Sequence, residues 1–87
     1  MAVIEIYTKP WCPYCERAKD LFEKKNAAFK EIVASSDPDL RREMNERANG
    51  RNTFPQIFID GLHVGGCDDL LALEARGGLD PLLEGAK

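Results

Sequence analysis

The chain is poor in several features that mark whole classes of proteins. Its 87 residues include only three cysteines, one histidine and one tryptophan. Small secreted domains held by disulfides usually carry more cysteines, and an even number of them, so we do not expect a disulfide scaffold. We expect instead a chain that works in a reducing compartment, with the cytoplasm as the default location.

Charge and hydropathy exclude further classes. The formal net charge is -3 and the basic residues are scattered, so the sequence does not predict nucleic-acid binding. No apolar stretch approaches the ~20 residues that a membrane span needs, and Glu5 interrupts the opening segment, so we expect neither an anchor nor a signal peptide. No glycine-rich dinucleotide loop is present, and we therefore expect no bound NADPH or flavin.

The composition is that of a globular protein, 44% hydrophobic and 31% charged, and predicts one small domain over residues 1–87. Its first half alternates short apolar, β-branched runs with amphipathic segments that begin at a capping residue followed by proline. The predicted elements are a strand over 3–8, a helix capped by Cys12 that runs from Pro13 to near Asn26, a strand over 28–33, and a helix capped by Asp37 and closed by Gly50.

The second half predicts a hairpin and a helix. Asp60-Gly61 between two apolar runs is a strong signal for a tight turn. Residues 65–78 read as a helix with acids at its start, and residues 79–86 as a last helical turn with Asp80 as the cap of Pro81. The order β-α-β-α-β-β-α predicts an α/β fold in which a mixed four-stranded sheet is flanked by helices on both faces.

The segment WCPYC places two cysteines where the first strand ends and the first helix begins. Unpaired backbone N–H groups and the helix dipole favour a thiolate on Cys12 at the cap, and Lys9 adds positive charge nearby. Cys15 lies one turn inside and deeper. We therefore predict Cys12 as an exposed nucleophile and Cys15 as the thiol that resolves its mixed disulfides.

Two structural roles for this cysteine pair are less favoured. Zinc requires about four ligands, and the other candidates, Cys67 and His63, do not repeat a ligand spacing. A static disulfide is also disfavoured, because C-x-x-C at a helix start in a reducing compartment is typical of redox chemistry. We expect no metal site.

Three segments in order, YTKPWCPYCERAK, NTFPQIFIDGLHVGG and GGCDDLLAL, resemble the dithiol glutaredoxins of bacteria, and the resemblance extends from about Ile4 to Leu83. It implies a thioredoxin-like fold and the glutathione-dependent reduction of protein disulfides and of protein–glutathione mixed disulfides. It also implies a cis peptide bond before Pro55, glutathione as a co-substrate without any tightly bound cofactor, and electrons supplied by NADPH through glutathione reductase. We expect a monomer.

The resemblance further implies a glutathione site. Cations are expected to bind its glycine carboxylate, backbone groups its cysteinyl unit, and the start of the third helix its γ-glutamyl carboxylate, with an acid for the amine. The cations for the glycine carboxylate are Lys9, Arg42 and Arg51. The backbone for the cysteinyl unit is that of Thr53, Phe54 and Pro55, with Tyr14 beside it. The start of the third helix comprises Gly66, Cys67 and Asp68.

Several points stay open in the sequence. Phe54 stands where the family most often has valine, and it adds bulk to the predicted groove wall. Trp11 is either an exposed aromatic for substrate docking or a half-buried residue at the helix start. Cys67 is either a small residue in the groove or a second redox-sensitive thiol, and the first is favoured.

Two other functions fit parts of the pattern. A thioredoxin-like reductant recharged by a thioredoxin reductase would also use the cysteine pair, but it would not need Lys9, Arg42 and Asp68. A carrier of an iron–sulfur cluster, bridging two chains through Cys12 and glutathione, would not be an enzyme. In the family such carriers usually have one cysteine or lack the proline, so Pro13 and Cys15 disfavour this role.

Overall fold

A computed structural model describes residues 2–84, and eight helices and strands are present in this part of the chain. None of these helices is long and apolar enough to cross a membrane. In chain order the elements are β1 (Ile4–Thr8), α1 (Pro13–Lys24), β2 (Lys30–Val33), α2 (Pro38–Arg47), β3 (Gln56–Ile59), β4 (Leu62–Gly65), α3 (Cys67–Ala75) and α4 (Leu79–Leu83).

The four strands form one mixed sheet in the order β2-β1-β3-β4. β1 and β2 are parallel, whereas β3 is antiparallel to both β1 and β4. Asp60 and Gly61 join β3 to β4 with φ values of 51° and 81°, the left-handed pair that a tight type I′ hairpin needs. The predicted mixed sheet and its hairpin are confirmed.

Helices cover both faces of this sheet. Successive strand residues point to opposite sides, so apolar side chains on each face are buried by helices. Ile6 and Ile57 pack into a core with α1, α3 and α4, in which Phe22, Leu70 and Leu79 are buried. The next residues along the strands, Tyr7 and Phe58, face a second core with Met44 of α2 and Ala48, which follows its last residue. The predicted layered α/β fold is therefore confirmed.

The starts of the first two helices are as predicted. Cys12 and Asp37 are the caps, and a proline occupies the first helical position after each. The Asp37 carboxylate accepts hydrogen bonds from the backbone N–H groups of Asp39 at 3.0 Å and Leu40 at 3.2 Å. These two bonds satisfy donors that a helix leaves without a partner in its first turn.

Some boundaries differ from the prediction. β2 begins at Lys30 instead of residue 28, because its pairing with β1 begins there and Phe29 packs against Phe22, with 6.1 Å between ring centroids. α1 ends at Lys24, before Asn26 adopts a left-handed φ of 56°. Tertiary packing therefore shortens β2 at its start and a backbone turn shortens α1 at its end, whereas the apolar pattern alone would extend both elements.

Two residues, Asn49 and Gly50, together end α2. Asn49 takes the left-handed conformation first, with φ 57°, and the N–H of Gly50 then bonds to the carbonyl of Asn45 at 2.8 Å. This is the bond of a Schellman-type helix end. Gly50 therefore helps to close the helix as predicted, but Asn49 supplies the first left-handed residue.

The predicted role of Asp80 as a helix cap is wrong. α4 begins at Leu79 after Gly78, since the fully buried Leu79 anchors its start, and Asp80 lies in the first turn. The Asp80 carboxylate accepts a hydrogen bond from Lys25 Nζ at 2.7 Å. The predicted end of this helical turn, residues 85–86, lies outside the described part of the chain.

Candidate active site

Cys12 lies between the end of β1 and the first helical residue, Pro13. Its backbone is extended, with φ -112° and ψ 104°, and its Sγ accepts a hydrogen bond from the backbone N–H of Cys15 at 3.2 Å. The sulfur therefore sits where the unpaired N–H groups and the dipole of α1 favour negative charge. This geometry suits a thiolate at Cys12.

Both sulfur-bearing side chains of the motif are buried. Cys12 is 4% exposed and Cys15 is 1% exposed. The predicted order of depth holds, but the expectation of an exposed Cys12 is wrong, because packing in the folded chain leaves only a small part of it accessible. What remains accessible borders a surface depression of about 630 Å³ lined by Pro10, Trp11, Pro13 and Glu16.

Burial has a large effect on the second thiol. Burial first, and then a side-chain hydrogen bond with Cys12, raise the pKa of Cys15 from 9.0 to about 12. A backbone hydrogen bond from Lys9 and the charge of Lys19 oppose this shift without cancelling it. Cys15 is therefore protonated at neutral pH, and it stands as a hydrogen-bonded thiol beside Cys12.

A groove of about 150 Å³ lies between the stretch that precedes β3 and the start of α3. Eight of the residues predicted to bind glutathione line it together. They are Tyr14, Arg51, Thr53, Phe54, Pro55, Gly66, Cys67 and Asp68. The sequence separates these residues by up to 54 positions, and the fold brings them to one place.

Two predicted residues do not line this groove. Lys9 and Arg42 are both exposed, and Arg42 pairs with Asp39 on its own helix, with 3.2 Å between Nη1 and Oδ1. The structure therefore does not bring these cations together with the groove residues.

The stretch before β3 has the predicted backbone. The Phe54–Pro55 peptide bond is cis. Pairing between β1 and β3 begins at Gln56, so Phe54 lies outside the ladder, and no residue of the described range 2–84 bonds its backbone N–H or C=O. Its ring is half-buried against the α2 core as well as lining the groove. An edge of unpaired backbone thus faces the groove.

Asp69, which our sequence analysis did not select, organises the other wall. Its Oδ2 accepts a hydrogen bond from the Gly66 N–H at 2.9 Å and pairs with Arg51 Nη1 at 3.1 Å. The bond from Gly66, and then Arg51, hold the pKa of the Asp69 carboxyl below its ordinary value. Asp69 supplies the returning half of a capping box, since Gly66 has no side chain to form the other half, and an acid three residues after a glycine at a helix start is the signal that was available in the sequence.

The pair with Asp69 also fixes the position of Arg51. Its guanidinium lies at the start of α3 and reaches Gly66, where a Cβ would stand 3.6 Å from Nη2. Arg51 is therefore held against the start of α3 by its pair with Asp69.

The remaining open residues also have defined surroundings. Trp11 is 97% exposed, which favours the exposed alternative. Cys67 is the first residue of α3 and is 4% exposed, and burial raises the pKa of its thiol, as expected for a small buried residue. His63 stacks on Phe58, with 5.0 Å between ring centroids. Within residues 2–84, no three His, Cys, Asp or Glu side chains are grouped to hold a metal ion.

Comparison with known proteins identifies the family. The sequence model of the family Glutaredoxin matches residues 4–64. Glutaredoxin 3 of Escherichia coli K12 is 58% identical over 84 residues, which cover 97% of this chain and all of that protein. The chain belongs to the glutaredoxin family. It is a glutathione-dependent thiol–disulfide oxidoreductase, and the resemblance inferred from the three sequence segments is confirmed.

Solved glutaredoxins have the same fold. The solution structure of glutaredoxin from Brucella melitensis matches with a TM-score of 0.85 and 62% identity, covering 100% of this chain and 94% of that one. A buckwheat glutaredoxin solved as a complex with glutathione matches with a TM-score of 0.83 and 33% identity, covering 95% of this chain and 77% of that one. The thioredoxin-like fold expected of this glutaredoxin is therefore confirmed, and its Cys12–Cys15 pair is consistent with a dithiol active site.

Proposed function

We propose that Cys12 is the attacking thiolate and Cys15 the resolving thiol, and that the enzyme reduces both protein disulfides and protein–glutathione mixed disulfides. The contrast between the two thiols carries this proposal. The sulfur of Cys12 accepts a backbone N–H at the helix start, whereas Cys15 holds its proton with a pKa of about 12. The Cys12 sulfur is placed at the helix start with a backbone donor aimed at it, whereas Cys15 is a buried thiol that keeps its proton at neutral pH.

With a glutathionylated protein, the Cys12 thiolate attacks the glutathione sulfur. A Cys12–glutathione disulfide forms, the original disulfide breaks, and the protein thiolate leaves and takes up a proton. The thiolate of a second glutathione then attacks the glutathione sulfur of this intermediate. Oxidised glutathione leaves, and the Cys12 thiolate is restored.

With a protein disulfide, Cys12 forms a mixed disulfide with one substrate sulfur and the other sulfur leaves as a thiol. Cys15 then loses its proton and attacks Cys12, which releases the reduced protein and oxidises the pair. Two glutathiones reduce the pair again and leave as one molecule of oxidised glutathione. The proximity of Cys15 to Cys12 makes the resolving step intramolecular and compensates for its small thiolate fraction.

We propose a position for glutathione from the chemistry of the groove. We assign the cysteinyl unit to the unpaired backbone of Phe54, next to Thr53, whose carbonyl already accepts a bond from Gln56 Nε2. There it would add a short strand beside Tyr14 and Pro55. The γ-glutamyl carboxylate is assigned to the start of α3. Because Asp69 already accepts the Gly66 N–H, the donors left for that carboxylate are those of Cys67 and Asp68.

The charged ends of glutathione need three further groups. The Asp68 carboxylate suits the amine, and Arg51 is reassigned to the γ-glutamyl end because of its pair with Asp69. Lys9 and Arg42 remain the cations proposed for the glycine carboxylate. Both are exposed, so their side chains are accessible to a ligand.

The partners follow from this chemistry. Glutathione is proposed as an exchangeable co-substrate rather than a bound cofactor, with NADPH as the electron source through glutathione reductase. We further propose a monomer that works as one domain in the cytoplasm, which fits the small number of cysteines. Trp11, exposed beside the accessible edge of Cys12, is the proposed contact for protein substrates.

A coupled assay tests the proposed function. NADPH consumption is followed with glutathione, glutathione reductase and either a small glutathione mixed disulfide or a protein disulfide. Cys12→Ser should abolish both reactions, whereas Cys15→Ser should keep the first and lose the second. Cys67→Ser, the matched control at the third cysteine, should keep both. Loss of the first reaction in Cys15→Ser with its retention in Cys12→Ser would reverse the assignment.

A further inference from the structure

A buried glutamine connects the hairpin to the groove. Gln56, the first residue of β3, is fully buried. Its Nε2 donates hydrogen bonds to the carbonyl oxygen and to the Oγ1 of Thr53, each at 3.0 Å, and its Oε1 lies 2.7 Å from His63 Nε2. We call Thr53, Gln56 and His63 the polar bridge.

The direction of these bonds is fixed by their partners. The Thr53 carbonyl can only accept, so the amide nitrogen of Gln56 must face it and the amide oxygen must face His63. His63 must therefore carry a proton on Nε2 in order to donate. A buried amide without partners would cost stability, and here both of its ends are satisfied.

The far end of the polar bridge is rigid. The His63 ring stacks on Phe58, which is 1% exposed and meets Tyr7 edge-on with 5.7 Å between centroids. The Arg47 guanidinium lies over the same Phe58 ring at 4.1 Å. His63 is thus held on the sheet by its packing against Phe58.

The near end holds a stretch that is not paired with any strand. Thr53 is exposed and lies outside every strand, and in the described residues its hydrogen bonds are those to Gln56. The next residue, Phe54, supplies the unpaired backbone that faces the groove. Any rotation of the Thr53 carbonyl would also turn the N–H of Phe54, because these two groups belong to one planar peptide unit.

We propose that Gln56 and His63 are positioning residues for glutathione use. The polar bridge holds the Thr53 carbonyl, and through it keeps the backbone of Phe54 aligned with the groove, without either residue touching the ligand. This inference rests on the proposed function, in which that backbone pairs with the cysteinyl unit of glutathione.

His63→Phe tests the inference, because it keeps an aromatic ring on Phe58 but removes the donor to Gln56. We expect the KM for glutathione to rise about 2- to 10-fold, the factor that corresponds to one neutral hydrogen bond, with kcat at saturating glutathione within about twofold. His63→Gln places an amide donor at a similar reach and should restore most of the lost affinity. If His63→Phe does not fold, Gln56→Met takes its place.

A matched control separates positioning from stability. Ile59→Val removes one buried methyl group from the same hairpin, away from Thr53, and should lower the denaturation midpoint without changing the KM for glutathione. The amide NMR chemical shifts of Phe54 should change in His63→Phe and not in Ile59→Val. An unchanged KM and unchanged Phe54 shifts in folded His63→Phe would overturn the inference, whereas a wild-type enzyme without glutathione-dependent turnover would overturn the proposed function instead.

Discussion

The resolving cysteine should be almost unreactive until Cys12 has formed a mixed disulfide. At pH 7, a thiol with a pKa of about 12 has ~10⁻⁵ of its molecules as thiolate, against ~10⁻² for a thiol at 9.0. This is a ~1000-fold smaller reactive fraction. A more basic thiolate is a better nucleophile, and with a Brønsted coefficient of about 0.4–0.5 it recovers roughly 16- to 32-fold.

The net expectation is that Cys15 reacts roughly 30- to 60-fold more slowly than an ordinary thiol, before its burial slows it further. Reduced protein would be treated at pH 7 with less than one equivalent of iodoacetamide. Fragmentation mass spectrometry then gives the initial labelling of Cys12 and Cys15 separately. The same chain unfolded in urea provides the reference rate for Cys15 with its ordinary pKa.

The folded protein should therefore show labelling at Cys12 and a Cys15 rate at least 30-fold below that of the unfolded chain. Cys12→Ala removes the side-chain hydrogen bond between the two residues. Labelling of Cys15 in that variant should stay slow, because burial is the largest cause of its raised pKa. Equal initial labelling of the two cysteines in the folded wild type would refute the reasoning.

Four further measurements test other parts of the site. Asp68→Ala should weaken glutathione use about two- to fivefold, the range of one exposed ion pair, and unchanged kinetics would remove Asp68 from the site. Trp11→Ala should raise the KM for a protein disulfide about fivefold and leave a small mixed disulfide unaffected; equal effects on both would argue against docking. Asp69→Ala should lower the free energy of unfolding in urea by about 1 kcal/mol, since the Gly66 N–H loses its cap, and a stability equal to wild type would contradict this role. Burial, and then the charge of Arg51, lower the pKa of His63 from its ordinary value of 6.5. Neutral His63 therefore stabilises the fold fully above pH 6.5, and this stabilisation is lost as pH falls through the folded-state pKa. Urea titrations between pH 7 and 4 should show this loss in the wild type and not in His63→Gln.

The sequence predicted most local structure because the signals for it are local. Proline after a capping residue marked the starts of α1 and α2, and Asp60-Gly61 marked the hairpin. Prediction failed where distant packing decided the outcome. Asp80 looked like a cap, but burial of Leu79 started α4 earlier, and the Asp80 carboxylate pairs with Lys25, which lies 55 residues away in the sequence.

The candidate site shows the same division. The spacing of the two cysteines and their position at a helix start predicted the redox chemistry, because both signals lie within one helical turn. The covering of Cys12, the pKa of Cys15 and the position of Arg51 depend on neighbours from other elements, and Asp69 was missed although a capping-box spacing pointed to it.

The sequence by itself therefore determined the order of elements, the sheet and the thiol pair, because periodicity, turns and helix caps act over a few residues. Only the tertiary structure decided which residues share the groove and which side chains are tied elsewhere. It placed Arg51 beside Asp69 and linked Thr53 to His63 through Gln56. These contacts form only when β3, β4 and α3 pack together, since burial and hydrogen bonding between distant residues arise from packing and leave no periodic pattern in the chain.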